Sequence, residues 1–240
     1  DKKTMEKNIT ILLPSKDHEK VILDNFQKLN NFCLKHFENF EILIISNGSS
    51  KENIASLDGF KKFDFVNHQI LSTPGKGNAV KNGLIISKYP NILIFDSDFA
   101  YDISLALKFF DEDKKPIAPF MYIERLLSNE VRKNTPKIRL LAGTIFNYLI
   151  RKILSIDSKD TQAGFKFVNK NEFLNCTEFI SSGFEYDIEL FLLAKKNNIK
   201  TYSVDTSQLS KTDYSNVNII PDSVKLFLKL FKLRQIYKIN

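Results

Sequence analysis

Tryptophan is absent from this chain of 240 residues, and cysteine, methionine and histidine are scarce, at two, two and three. Cys33 and Cys176 are too few and too far apart to make a disulfide framework, which points to a reducing compartment. His18, His36 and His68 stand singly with no cysteine near them, so no zinc-binding spacing exists. Each reads as a surface or satisfied structural histidine. Glycine and proline are also sparse, at eight and seven, which excludes collagen-like and low-complexity chains. No apolar run approaches the roughly 20 residues of a membrane-spanning helix. No secretory signal precedes Asn8-Ile9-Thr10, so a cytoplasmic location is expected.

What is present is ordinary globular material, 43% hydrophobic and 26% charged, with 21 phenylalanines and a net charge of +7. The length accommodates one large α/β domain with an ample core. The positive balance predicts an anionic partner, and on charge alone nucleic acid, phospholipid and a phosphate-bearing substrate all qualify. Nucleic acid is the weakest of the three, because the basic residues interleave with aliphatics rather than with a stacking aromatic face.

Read in order, the chain alternates strands and helices. Ile9 to Leu13 is a buried strand closed by Pro14-Ser15, and residues 19–37 carry a helical apolar period through Val21, Ile22, Phe26, Leu29, Phe32, Cys33 and Phe37. Glu41 to Ile45 is a second strand, ending in the turn Ser46-Asn47-Gly48-Ser49-Ser50. Phe63 to Leu71 is a weaker strand. Further strands are expected at 117–123, 165–168 and 200–204, with helices at 103–110, 140–156 and 184–196. This alternation predicts a mostly parallel central sheet flanked by helices.

The most informative stretch runs from Ser72 to Asp102. Gly75-Lys76-Gly77 opens a helix, and the apolar strand Ile92 to Phe95 ends on Asp96-Ser97-Asp98. Open α/β sheets bind ligands at the carboxyl ends of their strands. There, glycines permit close backbone approach to a phosphate, Lys76 adds positive charge, and Asp96 and Asp98 suit a hard divalent cation.

Five blocks in this order resemble a family 2 glycosyltransferase of the GT-A (nucleotide-diphospho-sugar transferase) fold. They are ILLPS, NGSS, GKGNAVKNG, DSD, and DTQAGFKFV with GFEYDIELFLLA. The Asp160-Thr161-Gln162 version of the last block is similar to the dolichyl-phosphate and polyprenyl-phosphate glucosyltransferases, and Ala100 matches the same subgroup. The resemblance implies a nucleotide-sugar donor, UDP-linked, with Mg²⁺ or Mn²⁺ on its diphosphate. Asp98 matches the metal-ligating acid, and Asp96 the acid near the ribose or metal. Lys76, Gly75 and Gly77 match the loop that steadies the donor. Pro14, Ser15, Asn47, Gly48 and Ser49 match the loops that hold base and ribose. Two departures bear on the base: Ser46-Asn47 replaces a usual Asp pair, and Asp17-His18-Glu19 replaces a usual Asn-Glu.

The resemblance also implies a polyprenyl phosphate acceptor. Arg132 and Arg139 fall where the family carries arginines toward that phosphate, and guanidinium pairs with phosphate bidentately. A solvated basic face would look the same in sequence. Asp160 matches an acceptor-side or sugar-side loop. Asp187 and Glu189 match the family's Asp-x-Glu, touching sugar hydroxyls or positioning an arginine. Their place at a helix start would also serve the helix dipole. If the acceptor is instead a saccharide hydroxyl, as in capsule or lipo-oligosaccharide assembly, a base is needed and these two acids are the candidates. A third reading is a non-catalytic nucleotide-binding homologue.

Residues 1–215 are therefore expected to form the GT-A domain and 216–240 a basic amphipathic helix. In that tail Leu226, Phe227, Leu230, Phe231 and Leu233 would face lipid or a partner, with Lys225, Lys229 and Lys232 toward headgroups. Such a helix would hold the enzyme peripherally on the inner face of the membrane.

Overall fold

A computed structural model describes residues 8–125, 137–156, 158, 160–174, 180–206 and 229–238. Seven strands form one sheet: β1 (Asn8–Ser15), β2 (Asn39–Asn47), β3 (Val66–Leu71), β4 (Asn91–Phe95), β5 (Phe120–Arg125), β6 (Phe165–Asn169) and β7 (Thr201–Thr206). Their order is β3-β2-β1-β4-β6-β5-β7. Strand β6 runs antiparallel to both β4 and β5, and the other neighbouring pairs are parallel. The mostly parallel sheet expected from the alternation of elements is present, with one reversed strand near its middle.

The helices are α1 (Glu19–His36), α2 (Lys51–Ala55), α3 (Lys76–Ile86), α4 (Lys137–Leu154), α5 (Lys170–Leu174) and α6 (Tyr186–Lys196), with 3₁₀ turns at Ser56–Phe60 and Ile103–Phe109. Residues 229–236 are helical and are called α7 below. Strands β1, β2 and β4 are apolar on both faces because both faces are covered. Ile9, Ile11 and Leu13 join Ile42, Ile44, Leu93 and Phe95 beneath the α1 residues Ile22, Phe26 and Leu29. Leu12, Leu43, Ile45, Ile92 and Ile94 face the other way, onto Ala79, Val80 and Leu84 of α3. Burying such a side chain contributes about 1.5–3 kcal/mol, so the period-two alternation fixes register: a one-residue slip would turn each set to the wrong layer.

The same second layer contains Leu230, Leu233 and Tyr237, buried with Ile188, Leu190 and Leu193 of α6. Leu230 and Leu233, expected to face lipid or a partner, belong instead to the core, while Phe231 is exposed. Leu226, Phe227 and Lys225 lie outside the described residues. Among the described residues, no helix is long and apolar enough to cross a membrane.

The topology decides where the chemistry gathers. Strand β1 has β2 on one side and β4 on the other, which opens a crevice at the strand carboxyl ends. Because β6 is reversed, Phe95 at the end of β4 pairs with Phe165 at the start of β6. Ser15, Asn47, Asp96, Arg125 and the 160–164 loop therefore meet along one edge.

Candidate active site

On the β1–β2–β4 side, loops lock onto each other through side chains. Asn47 Nδ2 donates to the Ser15 carbonyl at 2.7 Å, while its Oδ1 accepts from Gly75 N at 3.2 Å. Asparagine can do both because it carries a donor and an acceptor; an aspartate here could not donate to that carbonyl. Glu19 at the start of α1 is fully buried. Its Oε1 accepts from Ser46 Oγ and Ser49 Oγ, each at 2.6 Å. The two departures from the family pattern are thus complementary: serine hydroxyls stand where their donors are needed by Glu19. Asp17 takes a left-handed φ of 60°. Its Oδ1 accepts from Ser50 N at 2.7 Å, and this bond to backbone holds its carboxyl below the ordinary range. Ser15 Oγ and Glu19 Oε2 are buried with no hydrogen-bond partner among the described residues. Such orphaned atoms mark where a water or ligand completes a network.

At the end of β4, Asp96 Oδ1 lies 2.6 Å from Lys76 Nζ. Burial lowers the Lys76 ammonium, but Asp96 and Asp187 outweigh it and hold it above its ordinary value. The same ammonium sits over the rings of Phe184 and Tyr186, at 5.9 and 5.8 Å. Asp98 is exposed, with one oxygen accepting from Ala100 N at 3.0 Å. His18 Nδ1 is 3.2 Å from Ser97 Oγ, the residue between the two acids.

Gly75 has φ of +134°, and a Cβ there would collide with the Ser182 carbonyl; one on Gly77 would meet the Ser181 and Gly183 carbonyls. The 181–183 loop packed against this turn by itself requires its glycines. Gly164 is constrained in the same way by Asp96, whose carboxylate occupies the space a side chain would need.

On the β5–β6 side the decisive group is Arg125, the last residue of β5. Its Nε and Nη2 meet Asp160 Oδ2 and Oδ1 at 2.5 and 2.8 Å, and its backbone N–H adds a third contact. Burial raises the Asp160 carboxyl, but the Arg125 fork outweighs this and holds it below its ordinary range. Tyr101 is buried nearby; burial pushes its phenol up, Arg125 opposes this, and Asp160, Asp96 and Asp98 add to it.

Asp187 and Glu189 are both buried and both engaged. Asp187 Oδ1 pairs with Lys166 Nζ at 2.5 Å, deep in the molecule. Burial lifts its carboxyl above the ordinary value despite Lys166 and Lys76. Glu189 accepts from the N–H groups of Ile180 and Ser181, at 2.8 and 2.7 Å, and from Tyr237 Oη at 2.6 Å.

Of the residues predicted from sequence, Pro14, Ser15, Asn47, Gly48, Ser49, Gly75, Lys76, Gly77, Asp96, Asp98, Asp160 and Asp187 lie at or beside this edge. Glu189 lies beneath it. Arg132 falls outside the described residues, and Arg139 falls on α4 with its side chain outside them. Sequence reading missed three participants. Arg125 had one signal, a basic residue closing an apolar strand. Lys166 was visible only as a charge inside the buried run of β6. His18 was treated as a scattered structural histidine, yet it touches the Asp-Ser-Asp turn.

The site thus sets two acids at the end of β4 of a seven-stranded α/β sheet, with a lysine-bearing turn beside them. Residues 10–172 match the model of glycosyl transferase family 2, and the chain belongs to that family and is a glycosyltransferase. It is 24% identical over 234 residues to glycosyltransferase AglJ of Haloferax volcanii, covering 93% of this chain and 71% of the relative. It is also 24% identical over 173 residues to a dolichyl-phosphate beta-glucosyltransferase of Drosophila melanogaster, covering 65% of this chain and 51% of that relative's length. Among solved structures it resembles glucosyl-3-phosphoglycerate synthase of Mycobacterium tuberculosis in complex with Mn²⁺, UDP-glucose and phosphoglyceric acid. The TM-score is 0.65 at 10% identity, covering 95% of this chain and 79% of that one. That likeness is one of fold.

Proposed function

We propose that this enzyme transfers a hexose, glucose, from a UDP-linked donor to a polyprenyl phosphate, with inversion at the sugar carbon. The observation that carries this reading is the Arg125–Asp160 fork, which holds a guanidinium at the edge that also bears Asp96 and Asp98. Asp160 takes the Nε–Nη2 edge and fixes the guanidinium plane, and the remaining Nη N–H donors are those offered to a phosphate acceptor.

The donor's base and ribose lie against Ser15, Asn47, Gly48 and Ser49, and its diphosphate lies near Lys76. Asp98, with Asp96, is the set for Mg²⁺ or Mn²⁺. Among the described residues no group of three or more acids, histidines or cysteines can hold a metal. One or two carboxylates nonetheless fit this kind of ion, which takes its remaining ligands from substrate phosphates and water. A bound divalent cation would screen the diphosphate and ease its departure. The chain's own residues do the rest: Lys76 adds positive charge beside Asp96, and Arg125, held by Asp160, orients the incoming phosphate. The acceptor phosphate oxygen bonds to the anomeric carbon as the bond from that carbon to the diphosphate breaks.

A phosphate oxygen needs no strong base at neutral pH. This favours it over a saccharide hydroxyl, because both acids suited to act as base are engaged: Asp187 with Lys166, Glu189 with a loop and Tyr237. Exposed Ile145 and Tyr148 on α4, with Arg151 and Lys152 in its last turn, support a peripheral seat on an anionic membrane near a lipid-borne acceptor. The test supplies purified protein with UDP-glucose, Mn²⁺ and polyprenyl phosphate in vesicles. Formation of UDP and a glucosyl phospholipid is expected, and transfer only to a soluble oligosaccharide would refute the acceptor assignment.

A further inference from the structure

Two carboxylates one helical turn apart, Glu185 and Glu189, each serve the same two parts of the molecule. Glu189 accepts from the N–H groups of Ile180 and Ser181 and from Tyr237 at the end of the C-terminal helical segment. Glu185 Oε1 accepts from Gly183 N at 3.3 Å and from Lys229 Nζ at 2.8 Å, near the segment's start. Burial raises the Glu185 carboxyl, but Lys229 outweighs this and holds it below its ordinary range. The 180–183 loop is therefore bound from below by two acids, and each acid is clamped by α7.

The other side of that loop touches the Gly75–Asn78 turn. Asn78 N donates to the Ser182 carbonyl at 3.2 Å. Gly75, with its positive φ, and the helical Gly77 leave no room for a side chain beneath the carbonyls of Ser181, Ser182 and Gly183. Phe184, which follows the loop, lays its ring under the Lys76 ammonium. A displacement of the loop must therefore move the turn or open these contacts.

We infer that Glu185 and Glu189 are positioning residues, which seat the 180–183 loop against the Gly75–Asn78 turn and make that seat depend on α7. The helix adds apolar contacts through Leu230 and Leu233, and its polar ends set the geometry of the lysine-bearing turn. Glu189 acts through the loop and touches no reacting atom. This rests on the reading that the turn faces the donor diphosphate, and the experiment below separates the two.

Tyr237→Phe removes one hydroxyl and keeps the ring in the core. Hydrogen exchange at residues 76–79 and 180–181 is compared in wild type, Tyr237→Phe and Lys229→Met, together with KM for UDP-glucose and for acceptor. In Tyr237→Phe, exchange in both segments is expected to rise about tenfold. Donor KM should rise about fivefold, with kcat and acceptor KM within about twofold. Lys229→Met, acting at a half-exposed pair, should show the same pattern more weakly. Faster exchange confined to α7, with 76–79 unchanged in both variants, overturns the inference. If wild type binds no UDP-glucose, the donor reading falls, while the exchange comparison still decides whether α7 seats the 180–183 loop.

Discussion

The acids that end β4 and the acids that begin α6 look alike in sequence, each an Asp-x-acid pair, but they live in different physical states. Asp98 is exposed and Asp96 half-buried, both at a crevice. Asp187 and Glu189 are buried, one paired with a buried lysine and the other with backbone amides and a tyrosine. Taking a carboxylate out of water costs several kcal/mol, which commits it to whichever cation or amide offsets that cost. Asp98 stays exposed and Asp96 is paired with Lys76 at the crevice, whereas Asp187 and Glu189 are paired in the interior.

Substitution breaks this comparison most sharply at Asp187. Replacing it with alanine leaves the buried Lys166 ammonium with the Ala163 carbonyl but no counter-charge, and about 3–5 kcal/mol of stability should be lost. Urea unfolding measures this, and adding Lys166→Met should recover much of it; a single variant as stable as wild type would contradict the scaffold role. Asp98→Ala should do the reverse. Stability should stay within about 0.5 kcal/mol, while Mn²⁺-dependent transfer falls by on the order of a hundredfold or more. An intermediate case is Asp160→Asn, which removes the charge that fixes Arg125. Acceptor KM should rise about tenfold with donor KM little changed; equal rises in both would place Arg125 outside the acceptor subsite.

The smallest effect is in pH. Asp160 has its folded carboxyl lowered by Arg125, so the unfolded chain binds its proton more readily. Its contribution to stability is complete above the unfolded value near about pH 4, and is lost as pH falls through the lower folded value. Asp187 has the opposite sign, because burial raises its folded value. Urea midpoints measured down the acid range should therefore fall less steeply in Asp160→Asn than in wild type. An unchanged slope would mean that the pair carries no such linkage.

Much of the fold could be read from residue order. The runs Ile9–Leu13, Glu41–Ile45 and Ile92–Phe95 were legible because a strand covered on both faces is mostly apolar, the polar exceptions Thr10 and Glu41 being hydrogen-bonded to each other. Asp96 and Asp98 were legible because a strand's end is marked by where its apolar run stops. Arg125 was not legible as a site residue, because its partner lies 35 positions on and only the reversed β6 brings Asp160 beside it. The packing of α7 through Leu230 and Leu233 was not legible for the same kind of reason. Its alternating lysines and leucines fit a lipid surface or a protein core equally well.

Sequence by itself determined the α/β alternation and the strand end that carries Asp96 and Asp98, since these follow from local periodicity and residue type, and its motif blocks carried the resemblance to the family. Tertiary structure decided what the glycine-lysine turn rests on and which acids are open. Gly75 and Gly77 are glycines because carbonyls from residues 181–183 press against them. Glu189 is buried because an amide pair and Tyr237 meet there. Neither burial nor a partner's distance is a property of a residue type; both are fixed only when remote segments pack.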